Sequence, residues 1–160
     1  MLIPTDTPFL TQKERICRES HITETAHANL AEWRQESTHW QAACGDIGKR
    51  WFEAPPIRSE MDCWAALHEL GHIALELPTY DHDGVTVLFE NEVRAWEWAL
   101  EQAIAPPSAT ASGLILLQLH THIEDGQPPP KALVERLDTA LGEPHQSLGL
   151  SRSNSATSLR

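Results

Sequence analysis

The chain has 160 residues, 41% of them hydrophobic and 22% charged, which suits one globular domain with a core of its own. A formal charge of −11 excludes the basic face that a large nucleic-acid footprint needs, and no run of about 18 apolar residues is present to cross a membrane. Cys17, Cys44 and Cys63 are odd in number and include no CxxC pair, so a disulfide framework is not expected and a reducing cytoplasm is.

The opening stretch "MLIPTDTPFLTQKER" lacks a basic n-region followed by an apolar h-region, so it does not read as a secretory signal. Residues 1–10 are expected to be extended and loosely anchored. From Thr25 to Cys44, Leu30, Trp33, Trp40 and Ala43 recur at roughly helical spacing, which predicts a helix with room for a break near Glu36–Thr38 and a stop at Gly45. "KRWFEAPPIR" predicts a short strand ended by Pro55-Pro56. Ser59 is a candidate N-cap with Asp62 three residues on, so a helix should run from there to about Glu76 and stop before Pro78.

"PTYDHDG" is turn-rich, and the β-branched residues of "VTVLF" suggest a short strand. "ENEVRAWEWALEQAIA" predicts a helix closed by Pro106-Pro107, and "SATASGLILLQLHTHIE" a further one. "KALVERLDTALG" places Leu133, Leu137 and Leu141 on one stripe, with Gly142 at the C-cap position. The Ser-rich end has little to bury. The expected fold class is therefore α+β, mostly helical with a small sheet: one domain over residues 1–145 and a disordered tail over 146–160.

The chemistry concentrates in "ALHELGHIALELP". Positions four apart on a helix lie about 40° apart around the axis and about 6 Å along it, so His68 and His72 can point at one ion. Glu69, the next residue round, reaches a water on that ion rather than the ion itself. The neighbours Trp64, Leu67, Ile73, Ala74 and Leu77 are apolar, so this face borders a core in which unpaired polar groups are costly. Gly71 carries a helix penalty of about 1 kcal/mol relative to Ala, which close approach of another backbone or of a substrate would explain. A catalytic zinc site usually has three protein ligands. Glu92, twenty positions after His72, can supply the third if its helix packs across the first; Glu90 is the runner-up. Either could instead be an ordinary acidic first turn complementing the helix dipole.

"HELGHIAL" followed by "NEVRAWEWA" resembles the gluzincin metallopeptidases, most closely the ImmA/IrrE-like group, with HE-x-GH-x-x-L and then a helix of the form E-x-x-A-[N/D]-x-[aromatic]-A. Glu92, Ala95, Trp98 and Ala99 fall on the second pattern. The likeness covers roughly Cys63 to Ala105. It implies a minimal gluzincin fold, Zn2+ held by His68, His72 and Glu92, and peptide-bond hydrolysis with Glu69 as general base. It also implies a peptide or protein substrate, often a repressor-type regulator. Trp96 stands where relatives carry an Asn or Asp that orients a ligand; an indole cannot accept a hydrogen bond, which leaves Asp62 or Glu97 for that role. That departure keeps open a second reading, a non-catalytic zinc protein that works by binding a partner.

A donor to the developing oxyanion is also needed. Tyr80, the only tyrosine, is the candidate, with His82, His120 and His122 behind it. A second metal site at "HTH" is not expected, because its spacing suits a strand and the segment reads as helix. Trp64 and Trp96 share faces with His68 and Glu92 and either wall the pocket or simply fill the core. Cys63 reads as a buried free thiol.

Overall fold

The computed structural model describes residues 9–35, 43–78, 88–122 and 126–142. Within them the fold is a mostly helical α+β arrangement: α1 (Gln12–Ala28), β1 (Glu32–Gln35), β2 (Ala43–Asp46), β3 (Trp51–Ala54), α2 (Glu60–Ala74), α3 (Phe89–Gln102), α4 (Ala109–Thr121) and α5 (Lys131–Gly142). No helix among the described residues is long and apolar enough to cross a membrane.

The sheet has the order β1-β3-β2, with β1 parallel to β3 and β2 antiparallel to it across an irregularity between Cys44 and Asp46. β3 alternates as a half-buried strand should, burying Phe52 and Ala54 completely. Trp33 stacks on Phe52 at 6.3 Å between ring centroids, and its indole N–H donates to the Ala54 carbonyl.

That pairing overturns the helix expected over Thr25–Cys44. Instead α1 opens earlier, at a capping box in which the Thr11 hydroxyl accepts from the Glu14 N–H and Glu14 accepts from the Thr11 N–H. It ends at Ala28, where the N–H groups of Leu30 and Ala31 turn back onto the carbonyls of His27 and Ala26, with Leu30 left-handed at φ 53°. The residues after it join a sheet, because pairing with β3 and burial of Trp33 outweigh a weak helical period. Gly45 lies inside β2 rather than closing a helix. Phe9 bridges to Ser59 and the Leu10 N–H donates to the Arg58 carbonyl, so this part of the N-terminal stretch is tied down. The strand expected at "VTVLF" lies mostly outside the described residues; Leu88 and Phe89 open α3. The tail expected to be disordered lies outside them too.

α2 follows its local code. Ser59 accepts from the Asp62 N–H, and the Asp62 carboxylate accepts from the N–H groups of Ser59 and Arg58. Every residue from Met61 to Ile73 is buried, so α2 is the central element, with the sheet, α1 and α3 all packed on it. It stops at Ala74, slightly short of the expected Glu76. There Glu76 takes the left-handed conformation at φ 53°, and the N–H groups of Glu76 and Leu77 return to the carbonyls of Ile73 and His72. Arg50, also left-handed at φ 55°, bonds the Asn29 carbonyl through Nε and Nη2 and Glu76 through Nη1, joining the ends of α1 and α2. On α5, Leu137 is fully buried, and Leu133 and Leu141 pack on the core beside it, as the stripe predicts.

Gly71 marks the closest approach of two helices. A methyl group there would lie 2.8 Å from the Ala95 carbonyl oxygen and 3.2 Å from the Trp98 ring. Ala in place of Gly normally favours a helix by about 1 kcal/mol, but overpacking against backbone costs about 1–3 kcal/mol. Gly71→Ala should therefore lower the melting temperature despite the better helix former. A melt at or above that of the parent would show that α2 and α3 can part without cost.

Candidate metal centre

α2 presents His68 and His72 one turn apart, and the first turn of α3 brings Glu92 over them. His68 Nε2 is 3.2 Å from His72 Nε2 and 3.1 Å from Glu92 Oε2; His72 Nε2 is 3.4 Å from Glu92 Oε1. One donor atom from each residue falls within 4.8 Å of the other two, a set that can hold a metal ion and is the one such group among the described residues. Their side chains are only 1–6% exposed.

The donor chemistry is compatible with a cation in the centre. Two Nε2 atoms 3.2 Å apart repel as paired lone pairs and as paired N–H groups; a shared proton or a cation relieves the repulsion. A carboxylate buried beside them also calls for positive charge. His72 Nδ1 lies 3.3 Å from the Leu77 carbonyl, to which its N–H donates, so the Nε2 lone pair is left for an ion. Leu77 is placed there by the same turn that ends α2.

His68 is held differently. Its Nδ1 is buried without a hydrogen-bond partner, and its ring lies on the Trp96 indole at 4.2 Å between centroids. Asp62 and Glu97, the expected substitutes for the missing acceptor, do not reach it. Asp62 is taken by the helix cap and Glu97 by Arg136. Trp96 thus walls the centre, whereas the Trp64 N–H donates to Glu60. Glu69 is buried next to His68, and its charge acts on both His72 and His122. Glu90 is exposed and pairs with Arg136 at 2.6 Å, away from the cluster. Tyr80 and His82 lie outside the described residues.

His122, named in the sequence only behind Tyr80 as an oxyanion donor, is the one of these candidates brought to the cluster among the described residues. α4 ends at Thr121, and His122 is its C-cap, with extended backbone that turns the ring toward α3. Its Nε2 stands 3.7 Å from Glu92 Oε2, and its side chain is 29% exposed, whereas the three cluster residues are buried. His120 is exposed. The signal was the histidine itself; its placement depends on where the helix ends. Cys63 is a buried free thiol, as expected, its pKa pushed up to about 11 by burial.

Burial works against the ionised forms here, but the partners win. Glu92 is held well below the usual carboxylate range by hydrogen bonds and charge from His68 and His72. His72 is likewise held above its ordinary value by Glu92, with Glu69 and the Leu77 carbonyl adding to it. Burial keeps His122 below its ordinary value.

No protein-family model, curated protein or solved structure matches the chain.

In metal-free protein, the depressed Glu92 contributes stability present above about pH 4.5, lost as pH falls through its lowered pKa. The raised His72 contributes stability present below about pH 6.5, lost as pH rises through its raised pKa. Denaturant unfolding of parent and Glu92→Gln should differ most between these limits and converge on both sides. A difference that is flat with pH would mean that the cluster is not ionised in this way.

Proposed function

We propose that the protein is a zinc-dependent peptidase of the gluzincin kind, acting in the cytoplasm on a peptide or protein substrate. What carries the reading is the buried convergence of His68, His72 and Glu92 with Glu69 beside it. Two imidazoles and one carboxylate are a donor set of catalytic zinc sites, and a structural centre has no use for the adjoining base. When bound, zinc supplies Lewis acidity and makes water a nucleophile near neutral pH.

The protein's own groups do the rest. Glu69 accepts the proton of the attacking water and returns it to the leaving amine. Trp96 and the apolar flank of α2 exclude bulk solvent and strengthen the local electrostatics. His122, the more exposed neighbour of the cluster, presents a ring N–H to the carbonyl oxygen of the scissile bond as negative charge grows there. A repressor-type regulator is a fitting substrate on the family resemblance. The surplus of negative charge suits a protein partner better than nucleic acid.

One observation favours the rival reading of a zinc-containing regulatory protein that binds a partner without cleaving it. His68 Nδ1 has no acceptor to raise the basicity of the ligand, which catalytic centres usually provide.

Zinc content by mass spectrometry, read beside peptide cleavage, separates the two. The parent should carry one zinc per chain, and Glu92→Ala should lose it. Glu69→Gln should keep the zinc and lose roughly 100-fold or more of turnover. Full cleavage by that variant would remove Glu69 from the base role, and a zinc-loaded parent that cleaves nothing would favour the partner-binding reading. His122→Ala should also keep the zinc, with turnover down by about 100-fold and little change in KM. Wild-type turnover in that variant would leave His122 without a role in the reaction.

A further inference from the structure

Glu92 stands in the turn of α3 that has the least support from its own sequence. The helix opens at Leu88, whose side chain makes no capping hydrogen bond. An uncapped start leaves N–H groups to be satisfied elsewhere and forgoes about 1 kcal/mol. Contacts from outside hold this turn. On one side, Asn91 Nδ2 donates to the Pro78 carbonyl at 3.0 Å, just beyond the end of α2. On the other, Arg136 of α5 reaches across. Its Nη1 is 2.6 Å from Glu90 Oε1, while Nε and Nη2 each lie 2.6 Å from an oxygen of Glu97.

Glu90 and Glu97 are seven residues apart and share the outer face of α3, so one guanidinium spans two turns. Glu92 lies about 200° round from Glu90 and faces inward to the histidines. Leu137, next to Arg136, is fully buried and fixes α5 against the bundle. Isolated surface ion pairs contribute little, because solvent screens them. This one differs in having a planar fork whose geometry is set by both carboxylates at once. The Glu97 half secures the fork, and the Glu90 half fixes the first turn of α3.

We propose that Arg136 is a positioning residue for the metal centre, holding the Glu92 carboxylate opposite His68 and His72 through Glu90. The inference rests on the triad holding a metal and does not need peptide hydrolysis.

The test is zinc affinity by competition with a chromophoric chelator, together with amide hydrogen exchange of the metal-free proteins. Arg136→Met and Glu90→Gln should each weaken zinc binding by up to about 10-fold, the least that losing a direct hydrogen-bond partner of a ligand costs, because both act on Glu92 only through its helix. Both should speed exchange at Asn91–Arg94 relative to His68–His72. Arg136→Lys should recover part of the affinity. Glu97→Gln, which loosens the fork but leaves the Glu90 contact in place, should weaken zinc binding less than Arg136→Met does. If Arg136→Met lowers the melting temperature but leaves zinc affinity and exchange in that turn at parent values, Arg136 is only a brace and the proposal is overturned. A parent that takes up no zinc sinks the metal reading and this one with it. Zinc uptake by the parent with undiminished affinity in Arg136→Met sinks this one alone.

Discussion

The contact between Gly71 and the Ala95 carbonyl governs the rest of the structure. It lets the backbones of α2 and α3 come closer than any side chain would allow. Gly71 immediately precedes His72, and Ala95 is three residues past Glu92, so the closest approach falls beside the cluster. A wider spacing would carry the carboxylate away from both imidazoles. The small residues Ala65, Ala66, Ala95 and Ala99, all fully buried, are consistent with the same demand for a close helix pair. Packing and chemistry are here one constraint rather than two.

Around that contact the two histidines are oriented by unlike means. His72 is fixed by a hydrogen bond whose acceptor belongs to the turn ending its own helix, so local chain geometry selects its tautomer. His68 is fixed by the face of Trp96, which restrains the tilt of the ring but says nothing about which nitrogen carries the proton. One imidazole is therefore set electronically and the other sterically. The cluster is asymmetric in a way that its two chemically identical side chains do not suggest.

Much of this was legible in the sequence where the code is local. Ser59 and Asp62 announce the start of α2 because a capping box needs only four consecutive residues. The His68–His72 spacing and the apolar residues around it announce a buried face able to hold a metal for the same reason. Glu92 was within reach because a return over twenty residues leaves few ways to pack a strong helix. The failures were non-local. Trp33 belongs to a strand because Phe52 and Ala54 are there to receive it, and nothing between Thr25 and Cys44 records that partner. Asp62 and Glu97 looked free to orient His68 until the cap and Arg136 were seen to occupy them. His122 depended on a helix ending at Thr121, which the pattern of "LQLHTHIE" does not mark.

The left-handed residues at the helix ends have a consequence for how parts of the fold are joined. Glu76 lies in a left-handed conformation, and its exposed side chain meets Arg50, itself left-handed, which also bonds the Asn29 carbonyl at the end of α1. The turn at Glu76 delivers Leu77 to the His72 ring. The end of α1, the turn before β3 and the turn that holds the His72 ring are thus joined through one side chain. An arginine that touches neither histidine thus borders the turn that carries the acceptor of the His72 ring.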